Sequence, residues 1–202
     1  MPPTFKHYVD NMDAHFAQLH KEHTAALDGF LRDCGDGLVQ LADRCASALK
    51  NGNKLLFCGN GGSACDAMHI AGEFVGRFID DRPGLPAIAL SADTGIITAI
   101  ANDYAYDYIF ARQVEALGVA GDVLISLSTS GTSPNVVRAI DAARKKGVFT
   151  VLFTGEKGRE NKAGAEQLLV VPSRITAHIQ EAHMVGLHGM TGLIEKRLVS
   201  AQ

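Results

Sequence analysis

Five short apolar segments constrain the fold of this chain more than any other feature of its sequence. They lie at residues 54–58 (KLLFC), 86–90 (PAIAL), 122–128 (DVLISLS), 149–153 (FTVLF) and 167–171 (QLLVV). Each is a continuous apolar run rather than an alternating one, which is typical of strands buried on both faces of a parallel sheet. Stretches with helical periodicity separate them. The sequence therefore predicts an α/β fold, a three-layer α/β/α sandwich around a five-stranded parallel sheet.

Helices are predicted before and after this core. Apolar residues near a 3.6-residue spacing indicate a first helix from Thr4 to about Cys34. A second helix ends at Asn51-Gly52, a pair suited to a left-handed C-cap. The first helix carries many polar residues and needs a surface to cover, either its own domain or a partner subunit. A long C-terminal helix is predicted over residues 175–199.

The chain contains neither a low-complexity linker nor a repeat of fixed period. We therefore expect one domain over residues 1–202. Residues 1–52 would form N-terminal helices that pack on the core or on a partner subunit. Residues 53–202 would form the α/β core and the C-terminal helix.

Composition excludes several classes of protein. The net charge is −3 and tryptophan is absent, so neither a basic surface nor aromatic platforms favour nucleic acid as the ligand. The first residues lack the apolar core of a secretory signal, and no apolar run approaches the ~18 residues that span a bilayer. Four cysteines without a CxxC pair indicate buried thiols in a reducing compartment. We expect a cytoplasmic protein that binds neither nucleic acid nor membranes.

Two of the predicted strands run into loops rich in glycine and hydroxyl groups. The first strand leads into residues 59–64 (GNGGSA), and the third leads into residues 128–134 (STSGTSP). A helical pattern follows each loop, and Pro134 suits a first helical turn. Glycines bring backbone N–H groups close to a ligand, and a helix N-terminus adds free donors with partial positive charge. Because both loops follow parallel strands, where open sheets bind ligands, they predict a phosphate site.

Other interpretations of these loops remain open. Serine, threonine and glycine before a helix also form ordinary caps and turns. Gly59, Gly61 and Ala64 satisfy the dinucleotide pattern G-x-G-x-x-A, which also needs an acidic residue about 20 residues later, at the end of the second strand. The residues at 80 and 81 are acidic but precede that strand, and Asp93 lies too far along. Neither loop contains the GK[ST] sequence of a P-loop.

Two predicted helices carry residues that could hold a metal ion or move protons. His69 and Glu73 are four residues apart and share a helical face, although such pairs are also common on surfaces. The C-terminal helix is largely apolar but carries Gln180, Glu181, His183 and His188. Imidazole, carboxylate and amide oxygen together suit zinc or another borderline divalent ion.

The spacing within the C-terminal helix leaves the ligand set open. Gln180 and His188 lie about 12 Å apart along a regular helix. Both reach one ion only if their side chains converge, if the helix begins near Gln180, or if different subunits contribute. Glu181 and His188 lie on one stripe, whereas His183 is less favoured as a ligand and suits a core or interface position.

Three segments of the sequence carry a specific combination of motifs: residues 59–78 (GNGGSACDAMHIAGEFVGRF), 128–136 (STSGTSPNV) and 179–188 (IQEAHMVGLH). Together they resemble the bacterial phosphoheptose isomerases, members of the sugar isomerase (SIS) domain superfamily. RPGLPAIAL and Ala101-Asn102-Asp103 extend the likeness over nearly the whole chain. The resemblance implies a flavodoxin-like sheet and a homotetramer with active sites at subunit interfaces. It also implies conversion of sedoheptulose 7-phosphate to D-glycero-D-manno-heptose 7-phosphate, for lipopolysaccharide or other glycans.

The resemblance implies roles for individual residues. The substrate would contact Asn60, Gly61, Gly62, Ser63, Glu73, Asn102, Asp103, Ser128, Thr129, Ser130, Ser133 and Gln180. One zinc ion per active site would be held by His69, Glu73, Gln180 and His188. Some members carry an acidic residue shortly before the IQE sequence, where this chain reads RITAH at residues 174–178. This departure leaves an auxiliary role for that carboxylate without support here.

Aldose–ketose exchange requires a base at the carbon next to the carbonyl and a group that moves protons between two oxygens. Our hypothesis assigns the carbon proton to Glu73 and the oxygens to His188, through an enediol. Zinc could polarise the carbonyl. Because a carboxylate bound tightly to zinc is a poor base, either the substrate displaces one ligand or the metal is mainly organisational.

Two rival functions use the same fold. Non-catalytic relatives bind a replication initiator protein and tend to lose the counterparts of Glu73 and His188, which are both present here. Sugar-phosphate-sensing domains are usually fused to a DNA-binding segment, and none is visible in this sequence. The sequence therefore favours an enzyme.

Overall fold

The computed structural model of the protein describes residues 13–199, which form one five-stranded sheet between two layers of helices. In chain order the helices and strands are α1 (Ala14–Lys50), β1 (Leu55–Gly59), α2 (Gly62–Val75), β2 (Ala87–Ala89), α3 (Thr94–Asp103), α4 (Ala111–Leu117), β3 (Val123–Ser128), α5 (Pro134–Lys145), β4 (Phe149–Gly155), β5 (Gln167–Val171) and α6 (Thr176–Val199). Single 3₁₀ turns lie at Tyr106–Tyr108 and Glu156–Gly158. All five predicted strands are present, each within two residues of its predicted bounds.

The sheet has the strand order β2-β1-β3-β4-β5, and every pairing is parallel. After β1 the chain adds β2 at one edge of the sheet. After β3 it adds β4 and then β5 toward the other edge. This is the flavodoxin-like order, with its topological switch point between β1 and β3. The predicted three-layer fold is confirmed.

Successive side chains of each central strand enter two different cores. Leu55 and Phe57 of β1 pack with α1, α2 and α6, whereas Leu56 and Cys58 pack with α4 and α5 on the other face. The same alternation runs through β3 and β4. Because helices cover both faces, each of these positions can be apolar, which explains the continuous apolar runs in the sequence.

A single helix of 37 residues, α1, stands where the sequence predicted two helices. The predicted break near Cys34 is wrong, because Gly37 serves a close contact within the helix rather than its end. A Cβ on Gly37 would lie 3.0 Å from Cδ2 of Leu169 on β5. The predicted end of the helix is confirmed, since the helix stops at Lys50 and Gly52 adopts a φ of +80°.

Along its first half, α1 carries apolar side chains that residues 13–199 leave partly exposed. Phe16, Leu19 and Leu31 are 58%, 43% and 42% exposed. By contrast, Phe30 is fully buried against the sheet. The predicted helical residues 4–12 lie outside the described part of the chain. Within that part, α1 presents an apolar surface that the fold itself does not cover.

The central packing helix on one face of the sheet is α6. Its buried side chains include Ile179, Ala182, Leu187, Met190 and Ile194. They pack between α1, α2 and the strands. Between residues 13 and 199, no helix combines the length and the apolar character that crossing a membrane requires.

All four cysteines are free thiols. Cys45 and Cys58 are buried, as expected, and burial raises the pKa of each thiol to about 12. Cys34 is partly buried. The expectation is wrong for Cys65, which is exposed on the outer side of α2.

Two glycines of α1 provide a matched test of its packing. A Cβ on Gly29 would lie 2.6 Å from Cγ of Pro172, a rigid ring, whereas a Cβ on Gly35 has no described atom within 4 Å. We expect Gly29→Ala to lower the free energy of unfolding by roughly 1–2 kcal/mol through overpacking. Gly35→Ala should raise it by about 0.5–1 kcal/mol through helix propensity. Urea unfolding measures both, and equal effects of the two substitutions would contradict the close contact.

Candidate active site

The two glycine- and hydroxyl-rich loops lie side by side at the switch point of the sheet. The first follows β1 and the second follows β3, and Gly59 at the end of β1 pairs in register with Leu127 near the end of β3. The two strands are adjacent, and their following connections turn toward opposite edges. Ligands of open α/β sheets bind in this crevice.

The first loop turns sharply into α2. Gly61 has a φ of +56°, and a Cβ on Gly59 would lie 2.7 Å from the backbone oxygen of Ser63. Both positions therefore require glycine. Among residues 13–199, no side chain caps the N-terminus of α2. Its first backbone N–H groups and the partial positive charge of the helix are available to an anion.

The second loop gathers hydroxyl groups around a glycine. Ser128 Oγ lies 3.1 Å from Ser133 Oγ and 3.4 Å from Ser130 Oγ. The backbone N–H of Gly131 donates to Ser128 Oγ, and Gly131 has a φ of +69°. Within the described chain, the Ser133 side chain makes no cap to α5. Pro134 has no N–H, and the N–H of Val136 donates to Asn135 Oδ1, so hydroxyl groups are the main donors with which this loop can surround an anion without lysine or arginine.

A buried amide joins the two loops. Asn135, on the first turn of α5, is 2% exposed. Its Nδ2 donates to Asn60 Oδ1 at 2.8 Å, and its Oδ1 accepts from Asn60 Nδ2 at 2.9 Å. The hydroxyl of Tyr106 also donates to Asn60 Oδ1, at 3.0 Å. The Asn60 side chain is therefore largely used as a brace between the loops.

The predicted substrate residues Asn102 and Asp103 lie at the end of α3. Both are exposed, and Asn102 Nδ2 donates to Asp103 Oδ1 at 2.9 Å. Tyr106 follows three residues later and reaches Asn60. The segment after α3 is thereby held beside the first loop. Thr129, in the second loop, accepts a hydrogen bond from the backbone of Gly155 through its own carbonyl.

Helices α2 and α6 run side by side in the same direction. Gln180 Nε2 lies 3.4 Å from Ser63 Oγ at the start of α2, and a Cβ on Gly62 would meet the amide of Gln180 at 2.6 Å. Two turns further along both helices, His188 Nε2 lies 3.4 Å from His69 Nε2. The chain therefore brings Gln180 to the first loop and His188 to the polar face of α2.

The candidate catalytic residues converge within one chain. His69, Glu73 and His188 present ligand atoms that all lie within 4.8 Å of one another. His69 Nε2 is 3.1 Å from Glu73 Oε1, and the side chains of these two residues are 51% and 25% exposed. Burial and the neighbouring His69 lower the pKa of His188, while Glu73 opposes the shift. The neutral form of the imidazole is thus favoured at position 188.

The donor chemistry of this cluster fits a divalent cation. The two imidazole Nε2 atoms lie 3.4 Å apart, with the Glu73 carboxylate 3.1 Å from His69 Nε2, and neutral imidazoles and a carboxylate can all offer lone pairs to a shared cation. One carboxylate and two imidazoles form a common set of protein ligands for zinc. The residues therefore form a group that could hold a metal ion.

His183 is a core residue, in line with the interpretation that disfavoured it as a ligand. It is fully buried, and its Nε2 lies 3.3 Å from the backbone oxygen of Thr154. Its ring packs edge-on against Phe153. Burial lowers the pKa of His183 to about 4, so the ring is neutral at physiological pH.

A separate cavity lies at the amino ends of the strands, opposite the end that carries the two loops. It has a volume of about 1140 Å³ and adjoins the first residues of β3, β4 and β5. Two arginines and two acidic residues line it: Arg44, Arg144, Asp43 and Glu166. These charges balance, and the cavity is remote from both loops. It gives no indication of a particular ligand.

Comparison with known proteins identifies the family. The SIS domain family matches residues 8–155. The phosphoheptose isomerase of Trichlorobacter lovleyi is 48% identical over 187 residues, which cover 93% of this chain and 95% of that protein. The enzyme of that name from Burkholderia pseudomallei is 53% identical over 163 residues, covering 81% and 83%. The chain belongs to the phosphoheptose isomerase family.

A solved structure in the phosphoheptose isomerase family agrees with this assignment. The phosphoheptose isomerase of Neisseria gonorrhoeae superposes with a TM-score of 0.84 at 40% identity, covering 90% of this chain and 97% of that one. Since the superposition covers nine-tenths of this chain, the chain has the fold of that phosphoheptose isomerase.

Sequence reasoning missed several residues that shape the site of this phosphoheptose isomerase family member. Tyr106 and Asn135 brace the first loop. Phe78 stacks on His188 with its ring nearly parallel. Asn135 was visible as a polar residue in the first turn of a helix, and Tyr106 follows Asn102-Asp103 closely. No local pattern could indicate Phe78, because its partner lies 110 residues away in the chain.

The brace between the loops can be tested with two substitutions. In Asn135→Asp, a carboxylate oxygen would replace the amide that donates to Asn60 and would add negative charge beside the proposed anion site. We expect the affinity for inorganic phosphate to fall by about tenfold or more, equivalent to ~1.4 kcal/mol.

Tyr106→Phe is the milder comparison, since it removes one exposed hydrogen bond worth about 0.5–1.5 kcal/mol. Isothermal titration with inorganic phosphate measures both variants. Unchanged phosphate affinity in Asn135→Asp would show that the brace does not shape the anion site.

Proposed function

We propose that the chain is an aldose–ketose isomerase that converts sedoheptulose 7-phosphate to D-glycero-D-manno-heptose 7-phosphate, a precursor of lipopolysaccharide or other glycans. The observation that carries the proposal is the convergence of Glu73 and His188 beside two loops suited to a phosphate. Membership of the phosphoheptose isomerase family supports the same reaction.

The phosphate would bind between the two loops. Donors from the first turns of α2 and α5 would meet its oxygens, together with the hydroxyls of Ser63, Ser128, Thr129, Ser130 and Ser133. Backbone N–H groups of Asn60, Gly61 and Gly62 would add to them. Asn102, Asp103 and Gln180 would then contact the hydroxyl groups of the sugar. These residues are our proposed substrate contacts.

The chemistry would be shared between a carboxylate and an imidazole. Glu73 would take the proton from C1 of the ketose and return it to C2. His188 would move a proton between the oxygens on these carbons, so that an enediol forms and collapses to the aldose. The short distances among Glu73, His69 and His188 support this division, because proton transfer requires hydrogen-bond reach.

We further propose that His69, Glu73, Gln180 and His188 hold one zinc ion. A bound zinc ion would supply Lewis-acid polarisation of the sugar carbonyl. In the described structure the amide of Gln180 lies against Ser63 and Gly62 rather than in the close group of the other three. The Gln180 side chain would have to change its rotamer and extend along α6 toward His188 to join the other three ligands.

We also propose that the protein is a cytoplasmic homotetramer and that residues 1–202 of each subunit act as a single SIS domain. The exposed Phe16, Leu19 and Leu31 of α1 support assembly, since a partner subunit could cover them. Four free thiols support a reducing compartment. Light scattering after size exclusion tests the tetramer.

The rival functions are disfavoured by the same observations. A non-catalytic initiator-binding relative has no use for a converging carboxylate and imidazole, and the chain is similar to phosphoheptose isomerases over most of its length. Incubation with sedoheptulose 7-phosphate tests the reaction directly. We expect an aldose product in the NMR spectrum, and its absence under conditions where the sugar phosphate binds would favour a sensor.

Glu73→Gln tests the proposed base. The amide cannot accept the carbon proton, so we expect turnover to fall by at least about 10³-fold. Binding of sedoheptulose 7-phosphate should stay within a few-fold. Glu115→Gln, at an exposed carboxylate on α4, is the matched control and should keep wild-type activity. Near-normal turnover in Glu73→Gln would remove Glu73 from the mechanism.

Metal analysis of purified protein tests the proposed zinc site. We expect about one zinc ion per chain and a clear loss of bound zinc in His69→Gln, because one of a small set of ligands is removed. His15→Gln, at an exposed histidine near the start of α1, should retain the metal. Equal zinc content in the two variants would contradict the assignment.

A further inference from the structure

The segment between α2 and β2 is held against α6 by a buried ion pair. Arg82 Nε donates to Glu195 Oε1 at 2.8 Å, and the side chains of these residues are 4% and 1% exposed. Glu195 also accepts from the backbone N–H groups of Phe78, Ile79 and Asp80, at 3.0 to 3.3 Å. One carboxylate on α6 therefore fixes the backbone at residues 78–80 and the side chain of Arg82.

The arginine of this pair holds the end of α2. Arg82 Nη2 donates to the backbone oxygen of Glu73 at 2.8 Å, and Nη1 donates to that of Phe74 at 2.9 Å. These are carbonyls of the last turn of the helix, which otherwise lack partners within it. The backbone that carries the proposed base is thus tied through Arg82 to Glu195.

The same segment holds the proposed acid–base imidazole. The ring of Phe78 stacks on His188 with a centroid distance of 5.4 Å and an interplanar angle of 7°. Phe78 also lies over Gly192, since a Cβ there would be 3.5 Å from Phe78 Cε1. His69 meets the His188 ring edge-on at 5.0 Å. The imidazole is confined between Phe78 and His69.

The periodicity of α6 explains why the segment held by Glu195 contacts both Glu73 and His188. Glu195 follows His188 by seven residues, about two helical turns, so the two side chains share a stripe that faces α2. An ion pair that served stability alone would need neither the contact of Arg82 with the Glu73 carbonyl nor the stacking of Phe78 on His188. Buried ion pairs are, moreover, often replaceable by apolar residues at little cost in stability.

We propose that Arg82, Glu195 and Phe78 are positioning residues that fix Glu73 and His188 relative to each other. The inference rests on the proposed function for its consequence in turnover, but the contacts themselves are independent of the substrate. The three residues touch no part of the phosphate loops in the described hydrogen bonds. Their loss should therefore affect the chemical step more than phosphate binding.

The first experiment replaces the stacking ring. We expect Phe78→Leu to lower kcat by about tenfold or more, because a misplaced acid–base group loses its alignment. KM and inhibition by inorganic phosphate should stay within about twofold, since uniform binding is unaffected. Phe78→Tyr keeps the ring and should retain most of kcat. Ile79→Ala, at an exposed neighbour in the same segment, is the matched control.

The second measurement uses NMR to detect the stacking of Phe78 on His188 and does not depend on turnover. In histidine-labelled protein, the His188 Hε1 signal is assigned by its absence from His188→Gln. It should move downfield in Phe78→Leu, because the shielding by the overlying ring is lost, and stay in place in Ile79→Ala. This readout stands even if sedoheptulose 7-phosphate is not the substrate.

The third variant tests the ion pair. Arg82→Lys keeps the charge toward Glu195 but cannot also span the carbonyls of Glu73 and Phe74. We expect a loss of kcat similar to that in Phe78→Leu, again with little change in KM. If wild-type protein turns over sedoheptulose 7-phosphate and both variants keep its kcat, with the His188 signal unmoved in Phe78→Leu, the positioning role is overturned while the proposed function stands. Absence of wild-type turnover would overturn the proposed function alone.

Discussion

The parallel packing of α2 against α6 is the interaction on which the site depends. α2 begins at the first loop, and Arg82 donates hydrogen bonds to the backbone carbonyls of its last turn. α6 runs beside α2 in the same direction. Successive residues along α6 therefore contact successive positions along α2: Gln180 lies at Ser63, His188 lies at His69, and Glu195 lies at the segment after α2. A carboxylate and an imidazole separated by more than 100 residues are brought together because two helices share a face, not because of any local motif.

The switch point supplies the other half of the site. Two strands that lead to opposite edges place two helix N-termini next to each other, and the hydroxyls of the second loop add neutral donors. An anion held by backbone and hydroxyl groups needs no lysine or arginine, which agrees with a chain of net charge −3. Asn135 and Asn60 lock the loops together, so that the binding geometry exists before the ligand arrives.

Much of this was predictable from the sequence. Continuous apolar runs predicted the buried strands because both faces of the sheet are covered, and glycines before helical patterns predicted the loops. The break predicted near Cys34 was wrong, since α1 continues through Gly35 and Gly37, and Gly37 makes room for Leu169. Phe78, Arg82 and Glu195 could not be predicted, because their contacts join the segment after α2 to a helix more than 100 residues later. Such contacts have no local periodicity.

The central claim is that a carboxylate carries a proton between neighbouring carbons of a phosphorylated sugar. Turnover of sedoheptulose 7-phosphate in D₂O, followed by NMR until many forward and reverse cycles have passed, tests it most directly. The account predicts deuterium at the carbon that receives the proton, because a proton held by a partly exposed carboxylate exchanges with solvent during the lifetime of the enediol, and repeated cycles accumulate the label. Complete isomerisation with no deuterium on either carbon would indicate direct hydride transfer and would contradict the account.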